Sequence, residues 1–117
     1  MAMRDLTGAV DFTYLEGYMQ GDVTIIEEVL RLFQHQCEMW SQMLTIDHEG
    51  WRDAAHTLKG AALGIGANQL ASVAAEAETG DAEGGAGRLE RVRSEMNLTL
   101  LDVAAYLHGL QLRGLKS

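Results

Sequence analysis

Not one proline occurs in the 117 residues. Nothing in such a chain enforces a helix break, and its apolar residues recur at steps of three and four rather than in alternation. Both features point to an all-α fold. Glycine and polar caps do the punctuating instead. "QGD" at 20–22 separates a short candidate helix, "DFTYLEGYM", from a long one. The short helix has Phe12, Leu15 and Met19 on one face. The long one runs from Val23 to about Ile46, with Ile26, Val29, Leu30, Phe33, Cys37, Trp40 and Leu44 at helical spacing and Asp22 as its N-cap. Asp47 is the candidate cap of the next helix, which carries Trp51 to Ile65. "GIGAN" interrupts there, and Asn68 is placed to cap a helix bearing Leu70, Val73, Ala74 and Ala77. "GDAEGGAG", 80–87, reads as a loop of small residues. The last helix is expected from about Arg88 to Leu112, with Leu89, Val92, Met96, Leu100, Val103, Leu107 and Leu110 inward and Gly114 past its end as a stop signal.

Long helices joined by short connections become antiparallel neighbours. The expected architecture is therefore an antiparallel four-helix bundle with a short additional N-terminal helix. Residues 1–9 read as a lead-in and 10–117 as one bundle domain, with no internal repeat.

The formal net charge of −8 excludes a general affinity for nucleic acid or anionic lipid, which needs clustered Lys and Arg. A basic partner surface, or a partner supplying its own cations, fits better. Cys37 is alone, so no internal disulfide is available; a small buried apolar role suits it, in keeping with a reducing compartment. "MAMRDLTGAVD" lacks the apolar region of a signal peptide. No apolar run reaches the ~20 residues of a membrane span, since Asp102 and His108 break "LTLLDVAAYLHGL". A soluble cytoplasmic protein is the expectation.

Within 51–65 one histidine faces away from the apolar stripe. On a wheel of about 100° per residue, Trp51, Ala54, Ala55, Leu58, Ala61, Ala62 and Ile65 lie opposite His56, while Arg52, Lys59, Gly60 and Leu63 lie within about 60° of it. His56 thus stands near the centre of the solvent face. Gly60, at i+4, puts no Cβ beside the ring, at a cost of about 0.5–1 kcal/mol relative to alanine. Lys59 and Arg52 can each place a cation next to anything bound there, and Leu63 adds an apolar contact. A neutral imidazole has one nucleophilic nitrogen and forms covalent intermediates. Phosphoryl transfer asks mainly for positioning and for positive charge near the equatorial oxygens. Two plainer readings stay open: Gly60 as a close helix contact, and Arg52 and Leu63 as ordinary surface residues. His35, His48 and His108 have no constellation around them.

"AHTLKGAALGIGANQLASVAAEAE", 55–78, resembles the signature of histidine-containing phosphotransfer (HPt) domains. Ala55, His56, Leu58, Lys59, Gly60, Gly66, Ala67 and Leu70 match that pattern in spacing, and "GD" at 21–22 and Phe33 fit upstream. The motif covers about a fifth of the chain. The resemblance implies a cytoplasmic bundle that relays phosphate between receiver-domain aspartates in two-component signal transduction. It implies phosphohistidine at His56 on the solvent-facing nitrogen, Lys59 steadying the phosphoryl oxygens, and Glu78 holding the other ring nitrogen, with Glu76 as the competing acid. Arg52, Leu63 and Gly64 would meet the partner. The partners implied are response-regulator receiver domains and a hybrid sensor histidine kinase, with the protein itself a monomer. "GAALGIGA" departs from the family in being richer in glycine, which removes the usual hydroxyl or amide near the site.

No nucleotide site accompanies the motif. "GIGANQ" has Gln69 where a dinucleotide fingerprint needs glycine, and "GGAG" lacks the G-K-[ST] ending of a P-loop. The chain would then be a covalent phosphate carrier without an ATP site, with Mg²⁺ brought by the partner receiver. The rival readings are an adaptor that binds receivers without being phosphorylated, and a metal-binding bundle. The second would need paired Glu-x-x-His motifs, for which "DAAH" at 53–56 is one imperfect analogue.

Overall fold

The computed structural model describes residues 6–116, with the side chains of 114–116 left aside; residues 1–5 of the expected lead-in lie outside it. Five helices follow one another: α1, Phe12–Tyr18; α2, Val23–Met43; α3, Trp51–Ile65; α4, Asn68–Thr79; and α5, Gly85–Lys116. A single 3₁₀ turn, Ala82–Gly84, precedes α5, and no strand occurs among the described residues. α2 to α5 form the antiparallel four-helix bundle, and α1 packs on the end of α3.

Each helix begins or ends for a local reason. The Asp11 and Asp22 carboxylates accept the Tyr14 and Ile25 N–H groups at 3.0 and 3.2 Å, so both side chains cap the helix they precede. α3 ends at Gly66, whose φ of +85° suits glycine; the Ala67 N–H returns to the Ala62 carbonyl at 2.8 Å, closing the turn. A Cβ on Gly66 would also come within 2.9 Å of the Asp11 carbonyl oxygen, so the same glycine lets the chain before α1 lie against the α3–α4 corner.

Four sequence expectations need correcting. Asp47 does not cap α3: the N-cap is Gly50, without a side-chain bond, and the His48 ring accepts the Gly50 N–H at 2.9 Å. Asn68 is already inside α4, after Ala67. The loop at 80–87 is shorter than its glycines suggest. Asp81 accepts the Gly84 N–H, Arg88 reaches back to the Asp81 carbonyl, and α5 starts at Gly85. Gly114 does not stop α5, which continues to Lys116.

The core follows the expected faces. Ile26, Leu30, Phe33, Cys37, Trp40 and Leu44 from the second helical stretch are buried, as are Leu89, Val92, Met96, Val103, Leu107 and Leu110; Val29, Ala61 and Leu100 sit at its edge. Each fully buried large side chain stabilises the fold by about 1.5–3 kcal/mol. Burial pushes the Cys37 thiol up to about 12, so it stays protonated and unreactive.

One buried cluster is not apolar. Asp102 is 1% exposed and accepts three hydrogen bonds from the segment before α1: the Thr7 N–H at 2.7 Å, the Thr7 hydroxyl at 3.0 Å and the Ala9 N–H at 3.0 Å. Thr7 and Ala9, at the end of the expected lead-in, are therefore tied to α5. One turn further along α5, the Tyr106 ring stacks on Phe12 with centroids 4.3 Å apart, and its hydroxyl donates to Glu16. Burial first, and the Glu16 acceptor second, push the Tyr106 hydroxyl up to about 12.

Candidate functional site

The tight corner at Gly66 folds α4 back along α3. His56 lies about 15 Å of helix before it and Glu78 about 18 Å after it, so the two meet at the same height on neighbouring helices. His56 Nδ1 stands 2.7 Å from Glu78 Oε2. The imidazole is otherwise open, with its side chain 64% exposed, and no described residue bonds Nε2. Ala54, Ala55, Leu58 and Ala62 are buried on the opposite face of α3 and hold the ring outward.

Glu78 is shared. Its Oε1 pairs with the Lys59 ammonium at 3.2 Å, and its side chain is 23% exposed. Partial desolvation pushes its pKa up. Hydrogen bonds from Lys59 and His56, and the charges behind them, outweigh that and leave the carboxyl below its ordinary range. At neutral pH Glu78 is therefore an acceptor only, and the proton between it and the ring belongs to Nδ1. Whenever the ring is neutral, that leaves the lone pair on Nε2, on a side chain that is mostly exposed. A carboxylate on one ring nitrogen fixes which nitrogen is free. Glu76 cannot compete for the ring, because two residues along a helix turn a side chain about 200° away. It pairs with Arg91 at 3.1 Å on the far side of α4.

The remaining predicted residues fall into two groups. Gly60, Leu63 and Gly64 lie along the exposed face beside His56: Leu63 is half exposed, and a Cβ on either glycine would meet nothing within 4 Å. Gly60 is thus not a close helix contact. Its bare position takes effect only when something approaches from outside. Arg52 is engaged within the chain. Its Nη1 donates to the Glu78 backbone carbonyl at 2.6 Å, and its guanidinium lies 4.3 Å over the Trp51 ring.

Next to Gly64 the surface dips into an apolar groove of about 280 Å³, lined by Tyr18, Leu32, Phe33, Ala61 and Ile65 among others. Sequence reading missed it. Leu32 lies off the inward stripe of α2, and Tyr18 follows Tyr14 by four residues on α1 with their rings 6.0 Å apart, which was the available signal. Among the described residues no three His, Cys, Asp or Glu side chains gather to hold a metal ion, and no helix is long and apolar enough to cross a membrane.

Comparison with known families matches residues 19–106 to the Hpt domain. Among solved structures, a histidine phosphotransferase, ShpA from Caulobacter crescentus, is 48% identical, with a TM-score of 0.81 over 92% of this chain and 99% of the other. Comparison with curated protein sequences gave no match.

Proposed function

The chain belongs to the Hpt domain family, with a histidine phosphotransfer role in a phosphorelay, and on that premise we propose that His56 is the residue that carries the phosphoryl group. The observation that supports this most is the ring's asymmetry: Nδ1 is 2.7 Å from an ionised carboxylate while the ring is otherwise open to solvent.

The chemistry follows from that asymmetry. The Nε2 lone pair attacks the phosphorus of an aspartyl phosphate on a receiver domain. A nitrogen–phosphorus bond forms, the phosphorus–oxygen bond to the aspartate breaks, and that carboxylate leaves with its electron pair. Nδ1 keeps its proton throughout. The ring gains positive charge as the new bond forms, and the Glu78 carboxylate against Nδ1–H stabilises it where it develops. In the reverse step the leaving group is a neutral imidazole, so the same arrangement gives the phosphoryl group up to another aspartate. Lys59 begins on Glu78 Oε1. The incoming phosphoryl oxygens offer it a stronger anionic partner a few ångströms away, and it steadies them there.

Gly60 and Gly64 leave the approach to Nε2 clear, and Leu63 with the neighbouring groove gives a receiver an apolar surface to rest on. In this reading the partners are response-regulator receiver domains and a hybrid sensor histidine kinase. The protein acts as a monomer in the cytoplasm, and the Mg²⁺ ion comes with the receiver.

The test is direct. A receiver carrying labelled phosphate, with Mg²⁺, transfers label to the wild-type protein and none to His56→Gln. Label on His56→Gln overturns the assignment. Equal receiver binding by wild type and His56→Ala, with no label on either, makes the protein an adaptor.

A further inference from the structure

α4 ends at Thr79, so the carbonyl of Glu78 is one of the groups a helix leaves without a partner inside its own last turn. α4 has no basic residue of its own there. The cation that serves this end comes from the start of the neighbouring helix: Arg52 Nη1 reaches the Glu78 carbonyl at 2.6 Å. A cation at a helix C-terminus also meets the negative end of the helix dipole. The Arg52 side chain is itself braced, since its guanidinium lies 4.3 Å over Trp51, which is buried at the start of α3. Arg52 further favours the charged form of the nearby Asp81 carboxyl, after Gly84 and Arg88.

Glu78 is therefore gripped twice by α3. Its backbone is held by Arg52 and its carboxylate meets His56 and Lys59 one and two turns further on. The two grips have different consequences. The carboxylate contact decides which ring nitrogen is free. The backbone contact decides where the carboxylate starts from. If the α4 end moved by an ångström, a 2.7 Å bond to Nδ1 would lengthen past hydrogen-bonding distance.

We propose that Arg52 is a positioning residue for phosphotransfer: by holding the Glu78 carbonyl it sets the carboxylate against Nδ1 and so keeps Nε2 of His56 free of its proton. It acts through Glu78 and not through the phosphoryl group or the receiver. This inference rests on His56 being the phosphorylated residue for its effect on transfer, but not for its effect on the ring.

The experiment reads both. Long-range ¹H–¹⁵N spectra of the His56 ring are recorded above its titration in wild type, Arg52→Ala and Arg52→Lys, with circular dichroism to check the fold. The wild-type ring carries its proton on Nδ1. In Arg52→Ala the Nε2 signal moves toward the protonated position, because a ring without its partner favours a proton on Nε2. Arg52→Lys, which keeps a cation able to reach the carbonyl, restores most of the wild-type pattern. Transfer from a phosphorylated receiver falls about tenfold in its saturated rate in Arg52→Ala. A contact made only with the partner would instead raise the receiver concentration for half-saturation and leave the ring spectrum alone. Should Arg52→Ala not fold, Arg52→Met, which keeps an apolar stem but has no donor, is read the same way. A wild-type ring protonated on Nε2, or a ring spectrum unchanged by loss of Arg52, overturns the proposal. If the wild type takes up no phosphate, the functional assignment fails while the ring spectra still decide this one.

Discussion

Two carboxylates in this protein hold two helices' worth of structure in place, and they are used in opposite ways. Asp102 is fully buried on α5, and both its oxygens are taken by hydroxyl and N–H groups of residues 7–9. Glu78 is partly exposed on α4, and its oxygens face an imidazole that is open to solvent and an ammonium that is half-buried. Every donor around Asp102 is satisfied by the fold, so nothing there is left for a ligand. Around Glu78 the partners keep capacity to spare: no described residue bonds Nε2, and Lys59 has further donors. The same acceptor chemistry gives architecture where water and partners are excluded and, on the proposed function, reactivity where they are admitted.

Exchanging the two regions' roles by mutation should separate these effects. His56→Gln abolishes phosphoryl uptake and shifts the unfolding free energy by no more than about 0.5 kcal/mol, since the ring is exposed. Asp102→Ala does the reverse. It leaves the Thr7 and Ala9 N–H groups without their acceptor and lowers stability by about 3 kcal/mol in urea unfolding, while transfer per folded molecule is retained. A His56→Gln protein that unfolds early, or an Asp102→Ala protein of full stability, would contradict this division of roles.

Glu78→Gln keeps an acceptor beside Nδ1 but removes the charge, and slows transfer by about ten- to a hundredfold with little change in receiver binding. The pH dependence of Glu78 carries the same information. Its folded pKa lies below the ordinary carboxylate value, so the folded state binds that proton more weakly than the unfolded chain. The stability it contributes is present above the unfolded carboxylate pKa and is lost as pH falls through the lower, folded one. A carboxyl ¹³C titration of Glu78 should have its midpoint below 4.5, and Lys59→Ala should move that midpoint up. A midpoint unmoved by Lys59→Ala would show that Lys59 and His56 do not share the group.

Gly60→Ala adds a methyl group that meets nothing in the free protein. It should raise stability by about 0.5–1 kcal/mol, as an alanine does in a helix interior, while slowing transfer from a receiver several-fold. Faster or unchanged transfer would remove Gly60 from the approach path.

Much of the reactive region could be read from the order of residues, and little of the buried one. Periodicity of 3.6 placed His56 opposite its own helix's buried stripe, and that needs only local geometry. It also gave α2 from Val23 and α3 from Trp51 to Ile65. The choice between Glu76 and Glu78 depends on how α4 lies against α3, which the Gly66 corner settles and a wheel cannot. Arg52 looked like a free cation because its acceptor is a backbone carbonyl 26 residues away, invisible to side-chain pattern. Asp102 looked like a polar interruption of an apolar run. The clue was its register: Thr99, Asp102 and Tyr106 share one face of α5, and all three are buried. Helix ends misread for a related reason. Asp47, Asn68 and the glycines at 84–87 have the right chemistry for caps and loops, but the His48 ring takes the Gly50 N–H, α4 starts from Ala67 with no side-chain cap, and Arg88 binds the Asp81 carbonyl.

Phosphotransfer through this site depends on which nitrogen takes the phosphorus. The phosphorylated protein, uniformly labelled with ¹⁵N, should show a ³¹P–¹⁵N coupling to Nε2 of His56, with the Nδ1 proton still present and shifted by Glu78. Phosphorus bonded to Nδ1, or to any other side chain, would contradict it.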